Sequence, residues 1–117
     1  MNQYLFLLHE KPADAAHTSA AEMKETVARY KTWAAGLAQQ GLLTSGEKLS
    51  DDGGRHLRLK AGLPVATDGP YAEAHDVIGG VFTAKAENDA HAEALALSCP
   101  HLRGTQWIEI RRIEVLG

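Results

Sequence analysis

An apolar stripe between residues 19 and 41 constrains the fold of this chain more than any other feature. Apolar or small residues recur there at intervals of four, three, four, three and four: Met23, Val27, Tyr30, Ala34, Leu37 and Gly41. This spacing places them on one face of a long α-helix. Ser19 and Glu22 stand three apart, the spacing of a capping box, and Gly41 suits the position just past the helix end. A helix of this kind must pack its apolar face against another layer.

Short apolar or alternating segments predict the strands of that second layer. We expect strands at residues 4–9, 42–49, 55–60, 77–85 and 106–115, with a short edge piece at 62–67. The edge position follows from Pro64, which cannot donate to a strand ladder. A second helix is expected to begin at a cap on Asn88 or Asp89 and to run to about Ser98.

The last strand carries a change of phase. Ile108 and Ile110 share one face of an extended segment, whereas Ile113 and Val115 share the other. An extra residue in one strand reverses the phase in this way. We therefore expect a β-bulge near residues 111–112.

The element order β-α-β-β-(β)-β-α-β predicts the fold class. Two helices can cover only one face of a four- or five-stranded antiparallel sheet, which favours a single α+β domain over residues 1–117, a ferredoxin-like two-layer sandwich. The first strand is apolar in both phases, since Leu5 and Leu7 alternate with Tyr4, Phe6 and Leu8. The uncovered face is thus too apolar to lie in water, and we predict a homodimer in which a second copy covers it.

Charge and composition exclude several classes of partner. The chain has a formal net charge of −3 and a sequence pI near 6.0, and it lacks the basic stripe that nucleic acid or an anionic membrane requires. Its single cysteine, Cys99, rules out an internal disulfide and favours a reducing compartment. No leader peptide and no apolar segment of about 20 residues is recognisable. We expect a cytoplasmic protein with no nucleic-acid or membrane partner.

Residues 67–82, TDGPYAEAHDVIGGVF, resemble the signature of the YCII-related proteins of the DGPF subgroup. That signature reads DGPF-A-E-T-K-E, followed by an apolar pair and Gly-Gly. The direct matches are Asp68, Gly69, Pro70, Ala72, Glu73, Gly79 and Gly80. Tyr71 replaces the phenylalanine, and Ala-His-Asp at 74–76 replaces Thr-Lys-Glu. The opening YLFLLHE and the closing IEIRRIEV are similar to the family's first and last strands, although Arg112 departs from the family's proline.

The resemblance implies a dimeric α+β barrel, in which two sheets pack face to face around a central cavity. Some relatives are similar to small lyase- or dehalogenase-type enzymes that use a His–Asp pair, and others are associated with alternative sigma factors. The wider family's candidate catalytic histidine falls about where this chain has Tyr30. A mechanism carried over from the family therefore lacks its histidine here.

The leading functional hypothesis is a small-molecule enzyme or binder whose cavity is lined by the DGPF loop. Asp68 is the candidate acceptor or general base. If residues 73–77 are extended, Glu73 and His75 share one face, so Glu73 would tune His75 as a proton carrier. Asp68, His75 and Glu73 are thus the candidate catalytic residues for an unidentified small molecule.

The candidate ligand-binding residues flank this loop. His9 or Arg111 would orient an anionic or phenolic substrate, and Tyr71 belongs to the same loop. Gly79 and Gly80 remove the side chains from a strand, which indicates either a bulge or close approach by a ligand or the partner subunit.

Structural roles also explain several of these residues and compete with the functional ones. Asp68 is typical of an Asx turn, and Glu73 and His75 are consistent with a solvated acidic loop. Arg111 has Glu109 and Glu114 as nearby ion-pair partners, and Cys99 is expected to be an inert core thiol.

Cofactor motifs are absent from the sequence, and a second hypothesis needs no chemistry at all. No paired-histidine or thiolate motif indicates a metal site, and no nucleotide-binding fingerprint is present, so we expect no cofactor. The alternative function is a non-catalytic dimeric module that binds protein partners in sigma-factor-linked transcriptional regulation.

Overall fold

The computed structural model of the chain describes residues 1–12, 19–69 and 76–116. Its helices and strands, in chain order, are β1 (Asn2–Glu10), α1 (Ala20–Gln39), β2 (Leu43–Lys48), β3 (Arg55–Lys60), β4 (Leu63–Asp68), β5 (Val77–Ala86), α2 (Asp89–Leu97) and β6 (Trp107–Ile113). Each predicted element is present at nearly its predicted bounds. Neither helix is long and apolar enough to cross a membrane.

The helices begin and end where their capping residues predict. The Ser19 hydroxyl accepts a hydrogen bond from the Glu22 backbone N–H at 3.1 Å, which satisfies one of the free donors in the first turn of α1. Asn88 caps α2 in the same way by accepting from the His91 N–H at 2.9 Å. Gly41 has a φ of 72°, the left-handed conformation in which glycine ends a helix without strain.

Four strands form one antiparallel sheet in the order β2-β5-β1-β6. With β3 and β4 set aside, the β-α-β-β-α-β sequence and this strand order are compatible with a ferredoxin-like fold. The prediction of an α+β fold is confirmed. The two remaining strands pair only with each other as a separate hairpin, which we call the β3–β4 arm (residues 55–68).

The expected bulge near residues 111–112 is wrong. The pairing of β1 with β6 runs without interruption from Gln3↔Ile113 to His9↔Trp107. Ile113 simply lies on the opposite face of the sheet from Ile108 and Ile110, and Val115 follows the end of the strand. The change of phase therefore marks the end of the buried part of β6.

An irregularity in register occurs instead at the glycine pair. Leu8 of β1 is opposite Gly80 of β5, but His9 is opposite Ile78, so Gly79 is the extra residue. The sequence predicted either a bulge or a close approach at this pair, and the structure contains the bulge. A bulge here bends β5 just before the regular alternation of side chains resumes at Val81.

One face of the sheet is covered by both helices, and we call it the helix-covered face. Tyr4, Phe6 and Leu8 point into this layer from the central strand β1 and are 3% exposed or less. Tyr4 and Phe6 pack with alanines of β5 and α2 and with larger side chains around them: Ala84, Ala86, Ala92, Ala96, Trp33 and Phe82. Because these alanines are small, α2 can approach the sheet closely. The rings of Tyr4 and Phe6 then occupy most of the space between the two layers.

The opposite face of the sheet carries no helix among the described residues, and we call it the open face. Its side chains alternate with those of the core: Leu5, Leu7, His9, Val81, Thr83, Glu109 and Arg111. The leucines, Val81 and Thr83 are half-buried, so this face is apolar at its centre and polar on β6. It is the surface that the sequence marks as too apolar to lie in water.

Replacing Phe6 with alanine tests the packing of the core. Phe6 is fully buried, so Phe6→Ala should lower the free energy of unfolding by about 3–5 kcal/mol through lost burial and an unfilled cavity. Urea unfolding at neutral pH measures this loss. Leu116→Ala is the control, because Leu116 is 85% exposed and should change stability by no more than about 0.5 kcal/mol. Equal losses in both variants would contradict the assignment of the core.

A candidate active site between the first helix and the sheet

A cleft of about 830 Å³ lies between α1 and the helix-covered face of the sheet. Its apolar wall comes from both layers and includes Met23, Val27, Ala34, Leu8, Leu43 and Phe82. Its polar groups come from α1, from the end of β1, from β2 and the turn after it, and from the loop between α2 and β6. A largely apolar concavity of this volume with a few convergent polar groups has the properties of a small-molecule site.

Tyr30 and His101 form the most ordered polar pair in the cleft. The Tyr30 hydroxyl lies 2.7 Å from His101 Nδ1, and His101 Nε2 lies 2.8 Å from the backbone carbonyl of His9. Because a carbonyl can only accept, Nε2 carries the hydrogen and donates it to His9. In the neutral imidazole Nδ1 is then an acceptor, so the Tyr30 hydroxyl donates to it.

Burial keeps both members of this pair neutral. The His101 side chain is 3% exposed, and loss of solvation lowers its pKa below the usual value, although the bond to the His9 carbonyl acts in the other direction. Burial also raises the pKa of Tyr30 to about 12. A neutral phenol that donates to a neutral imidazole keeps its own oxygen lone pairs available to accept a further hydrogen bond.

Two glycines of the cleft make room for neighbouring side chains. The Glu10 carboxylate lies where a Cβ at Gly79 would be, and the Phe82 ring lies 2.5 Å from the position of a Cβ at Gly46. The bulge at Gly79 thus brings the carboxylate at the end of β1 into the cleft wall. Glu10 also raises the pKa of Tyr30 through its charge, after the larger effects of burial and Cys99 and against that of Arg103.

The predicted close approach at Gly79 and Gly80 therefore has an internal cause. The carboxylate of Glu10 occupies the space beside Gly79, while Gly80 faces the Glu47 carbonyl and Leu8. Both glycines line the cleft, as expected for ligand-binding positions, and that role stays a prediction.

The charges that line the cleft balance one another. Three acids and three bases are present: Glu10, Glu47, Asp51, Lys31, Lys48 and Arg103. Lys48 lies 3.5 Å from Asp51, and Arg103 donates to Thr26 at 3.3 Å and to Gln106 at 3.2 Å. The cleft therefore offers no strong field of one sign to a ligand.

His9 and Arg111 come together on the open face, away from the cleft. The His9 ring stacks on Trp107 with centroids 3.9 Å apart, and its Nε2 lies 3.0 Å from Glu109 Oε1. Arg111 donates to the other carboxylate oxygen of Glu109 at 3.3 Å. These contacts lower the pKa of Glu109, the bond from His9 contributing most. The ion pair between Arg111 and Glu109 that the sequence suggested is therefore present. Substrate binding by His9 and Arg111 stays a prediction.

Asp68 ends β4 at the base of the arm. Its side chain is 89% exposed and pairs with Arg55 at 2.6 Å. It does not line the cleft, and neither do Gly69 and Asp76, the other described residues of this loop. The alternative of an Asx turn fails, since residue 70 is a proline and has no N–H to donate. Gly69 has a packing reason of its own, because the His56 ring lies where its Cβ would be.

Three predicted site residues lie outside the described residues: Tyr71, Glu73 and His75. Their roles stay predictions. Among the described residues, no group of three or more His, Cys, Asp or Glu side chains could hold a metal ion. Cys99 is buried, and burial raises the pKa of its thiol to about 11, as expected for an inert core cysteine.

Sequence reasoning does not single out the Tyr30–His101 pair in the cleft. Tyr30 lies in the apolar stripe of the first helix, at about the position of the family's candidate histidine, and the sequence assigns it no role in a site. His101 follows a helix end and belongs to no motif. A signal was available, because a tyrosine on an inward stripe needs a partner for its hydroxyl. Only the fold identifies that partner, which is 71 residues away.

The model of the YCII-related domain family matches residues 2–115. The chain belongs to the YCII-related family. No curated protein matches it. The family match confirms the resemblance to the YCII-related proteins, whereas membership of the DGPF subgroup stays a prediction. The match gives no activity, substrate or oligomeric state for this YCII-related protein.

The lowered pKa of His101 predicts a pH dependence of stability. In the unfolded chain the His101 side chain has its ordinary pKa of about 6.5, whereas in the folded chain its pKa is lower because the side chain is buried. The stabilisation is therefore complete above about pH 6.5 and is lost as the pH falls toward the folded pKa. Urea unfolding at pH 7.5, 6.5 and 5.5 should show a falling free energy of unfolding in the wild type.

His101→Gln should flatten this dependence, and His91→Gln, which changes a histidine outside the cleft, should not. The carboxylates with lowered pKa values, Asp52 and Glu109, lose their contribution only at lower pH, since their ordinary values are 3.8 and 4.5. The same slope in wild type and His101→Gln would contradict the burial of a neutral imidazole.

Proposed function

We propose that this YCII-related protein binds a small, largely apolar organic molecule with a hydroxyl or amine group in the cleft between α1 and the sheet. The observation that carries the proposal is the Tyr30–His101 pair inside a mainly apolar concavity. The apolar wall supplies most of the binding free energy through burial, and the pair fixes the orientation of the polar end. The balanced charges favour a ligand without a large net charge.

The Tyr30 oxygen selects the polar end of the ligand. Its hydrogen is committed to His101 Nδ1 at 2.7 Å, so the oxygen offers acceptor capacity alone. A ligand O–H or N–H satisfies it, whereas a ligand that presents only acceptors leaves it unpaired. A small phenol meets these requirements, with its ring against Phe82 and Val27 and its hydroxyl donating to Tyr30.

The same pair is suited to general base catalysis, and we propose this as its chemical role. A proton from the ligand hydroxyl or from an acidic C–H passes to Tyr30 Oη as the tyrosine hydrogen passes to His101 Nδ1. His101 then becomes an imidazolium whose Nε2–H is already held by the His9 carbonyl at 2.8 Å. Because the resting pair is neutral, this charge develops only when a ligand is bound and water is displaced.

Replacing the Tyr30 hydroxyl tests the proposed binding mode. Titration of the ¹⁵N-labelled protein with phenol should shift amides around Tyr30 and His101, and Tyr30→Phe should weaken phenol binding about three- to tenfold through the lost hydrogen bond. Toluene, which has no hydroxyl, should bind both proteins equally. Phenol shifts confined to the open face or the arm would reject the cleft as the binding site.

Tyr4→Phe is the matched control for this experiment. Tyr4 is buried and donates its hydroxyl to Asp89 at 2.8 Å, but it lies outside the cleft that the half-buried Tyr30 lines. Tyr4→Phe should lower the free energy of unfolding by about as much as Tyr30→Phe and should keep the wild-type affinity for phenol. Equal loss of phenol affinity in both variants would assign the effect to stability alone.

We also propose that the YCII-related protein is a homodimer whose two open faces pack together, as the dimeric α+β barrel of similar proteins suggests. Leu5, Leu7 and Val81 form an apolar centre on this face. Burial against a second copy removes them from water, and a two-fold axis makes the same patch serve both subunits.

A charge at the centre of the open face should prevent this association. Leu7→Glu places a carboxylate in the apolar centre of the proposed interface, where it would lose its solvation, so sedimentation equilibrium at micromolar concentration should show a monomer. Ala28→Glu, on the exposed side of α1, should remain a dimer. A dimer in both variants would exclude the open face as the interface.

A further inference from the structure

Gly46 lies in the wall of the cleft directly beside Phe82. The two residues are opposite each other in the pairing of β2 with β5, and both line the cleft. A Cβ at residue 46 would lie 2.5 Å from Cδ1 and 2.5 Å from Cε1 of the Phe82 ring. Two carbons that are not bonded prefer a separation of about 3.5–4.0 Å, so the Phe82 ring occupies the space that a side chain at residue 46 would need.

Other side chains hold the Phe82 ring in this position. The Trp33 ring meets it edge-on, with centroids 5.0 Å apart and an angle of 79° between the planes. Trp33 is itself fixed, because its indole N–H donates to the Ser98 hydroxyl at 2.9 Å and that hydroxyl donates to the Leu95 carbonyl at 2.8 Å. On the β1 side, Phe6 is opposite Phe82 and is fully buried. Among the described residues, the space that remains for a displaced ring is the cleft.

The cleft is larger than one aromatic ring. Its volume of about 830 Å³ lies in the upper part of the range, about 300–1,000 Å³, in which sites hold drug-sized ligands. Tyr30, which orients the polar end of the ligand, lines the same cleft as Gly46 and Phe82. A ligand that is held at Tyr30 and also covers Phe82 buries more apolar surface than phenol does, and therefore binds more tightly.

We propose that Gly46 is a specificity-determining residue of the cleft and that the ligand is a two-ring aromatic compound with one hydroxyl group. The hydroxyl donates to Tyr30, and the second ring packs on the Phe82 ring. The second ring has room because residue 46 has no side chain, which lets the Phe82 ring lie over β2 and not across the cleft. This inference rests on the proposed function, since it extends the ligand that Tyr30 orients.

Gly46→Ala tests the inference with phenol and 2-naphthol as probes. In the wild type, titration of the ¹⁵N-labelled protein should show that 2-naphthol binds about five- to tenfold more tightly than phenol, because its second ring buries further apolar surface. In Gly46→Ala the displaced Phe82 ring takes the place of the second ring. The advantage of 2-naphthol should fall to about twofold or less, while the affinity for phenol changes by no more than about twofold.

Gly36→Ala is the matched control. Gly36 lies in α1 but does not line the cleft, and a Cβ there would meet nothing within 4 Å. This variant should keep the wild-type affinity for both ligands. A loss of the 2-naphthol advantage in Gly36→Ala as well would assign the effect to a general change in the fold.

Phe82→Val should remove the effect of Gly46→Ala. Valine ends at its γ carbons, and Cγ of Phe82 lies 3.7 Å from the position of a Cβ at residue 46, an ordinary contact. Gly46→Ala should therefore leave the affinity for 2-naphthol unchanged in the Phe82→Val background, since the two substitutions act through one contact. The indole N–H signal of Trp33 should shift in Gly46→Ala, because the ring beside it moves, and that of Trp107 on the open face should not.

Nuclear Overhauser effects in the wild type test the pose without any substitution. They should connect the second ring of 2-naphthol to Phe82, and their absence would overturn the two-ring ligand. Equal losses of phenol and 2-naphthol affinity in Gly46→Ala, or the same loss with and without Phe82→Val, would overturn the role of Gly46 and leave the cleft as the site. Binding of neither ligand in the cleft would reject the proposed function and this inference together.

Discussion

The alternation of side chains along β1 is the constraint on which both surfaces of the sheet depend. β1 lies between β5 and β6, so every second residue is forced into the core and the others onto the open face. Tyr4, Phe6 and Leu8 fill the helix-covered side, and their register fixes Ile108 and Ile110 beside them. A shift of one residue would exchange the two surfaces, placing the aromatic rings in water and the open-face side chains under the helices.

The bulge at Gly79 interrupts this register at one end, and the cleft lies at that end. An extra residue in β5 leaves the last residue of β1, Glu10, beside a glycine that has no side chain to exclude it. The same region of β1 offers the His9 carbonyl to His101. The same end of β1 thus supplies the cleft with the Glu10 carboxylate and holds the His101 imidazole through a backbone carbonyl.

Local patterns were sufficient to predict the elements of the fold, because caps, periodicity and turn residues act over a few positions. The Ser19 and Asn88 caps and the helical stripe ending at Gly41 all hold in the structure. The prediction of a bulge in β6 was wrong, because a change of phase in the apolar residues can also mark the end of the buried part of a strand. Sequence alone does not distinguish a bulge from the end of burial. The Tyr30–His101 pair was beyond prediction for a different reason, because its members are brought together only by the packing of α1 on the sheet.

Residues of the signature motif shape the arm and the cleft through their packing. Asp68 holds the base of the arm by its pair with Arg55, and Gly69 leaves room for His56, so this part of the motif shapes the arm. Gly79 and Gly80, at the other end, shape the cleft. His9 links the two faces of the sheet in a similar way, with its ring stacked on Trp107 on the open face and its carbonyl bound to His101. A second subunit that packs on the open face would therefore press on the residue whose backbone orients the imidazole in the cleft.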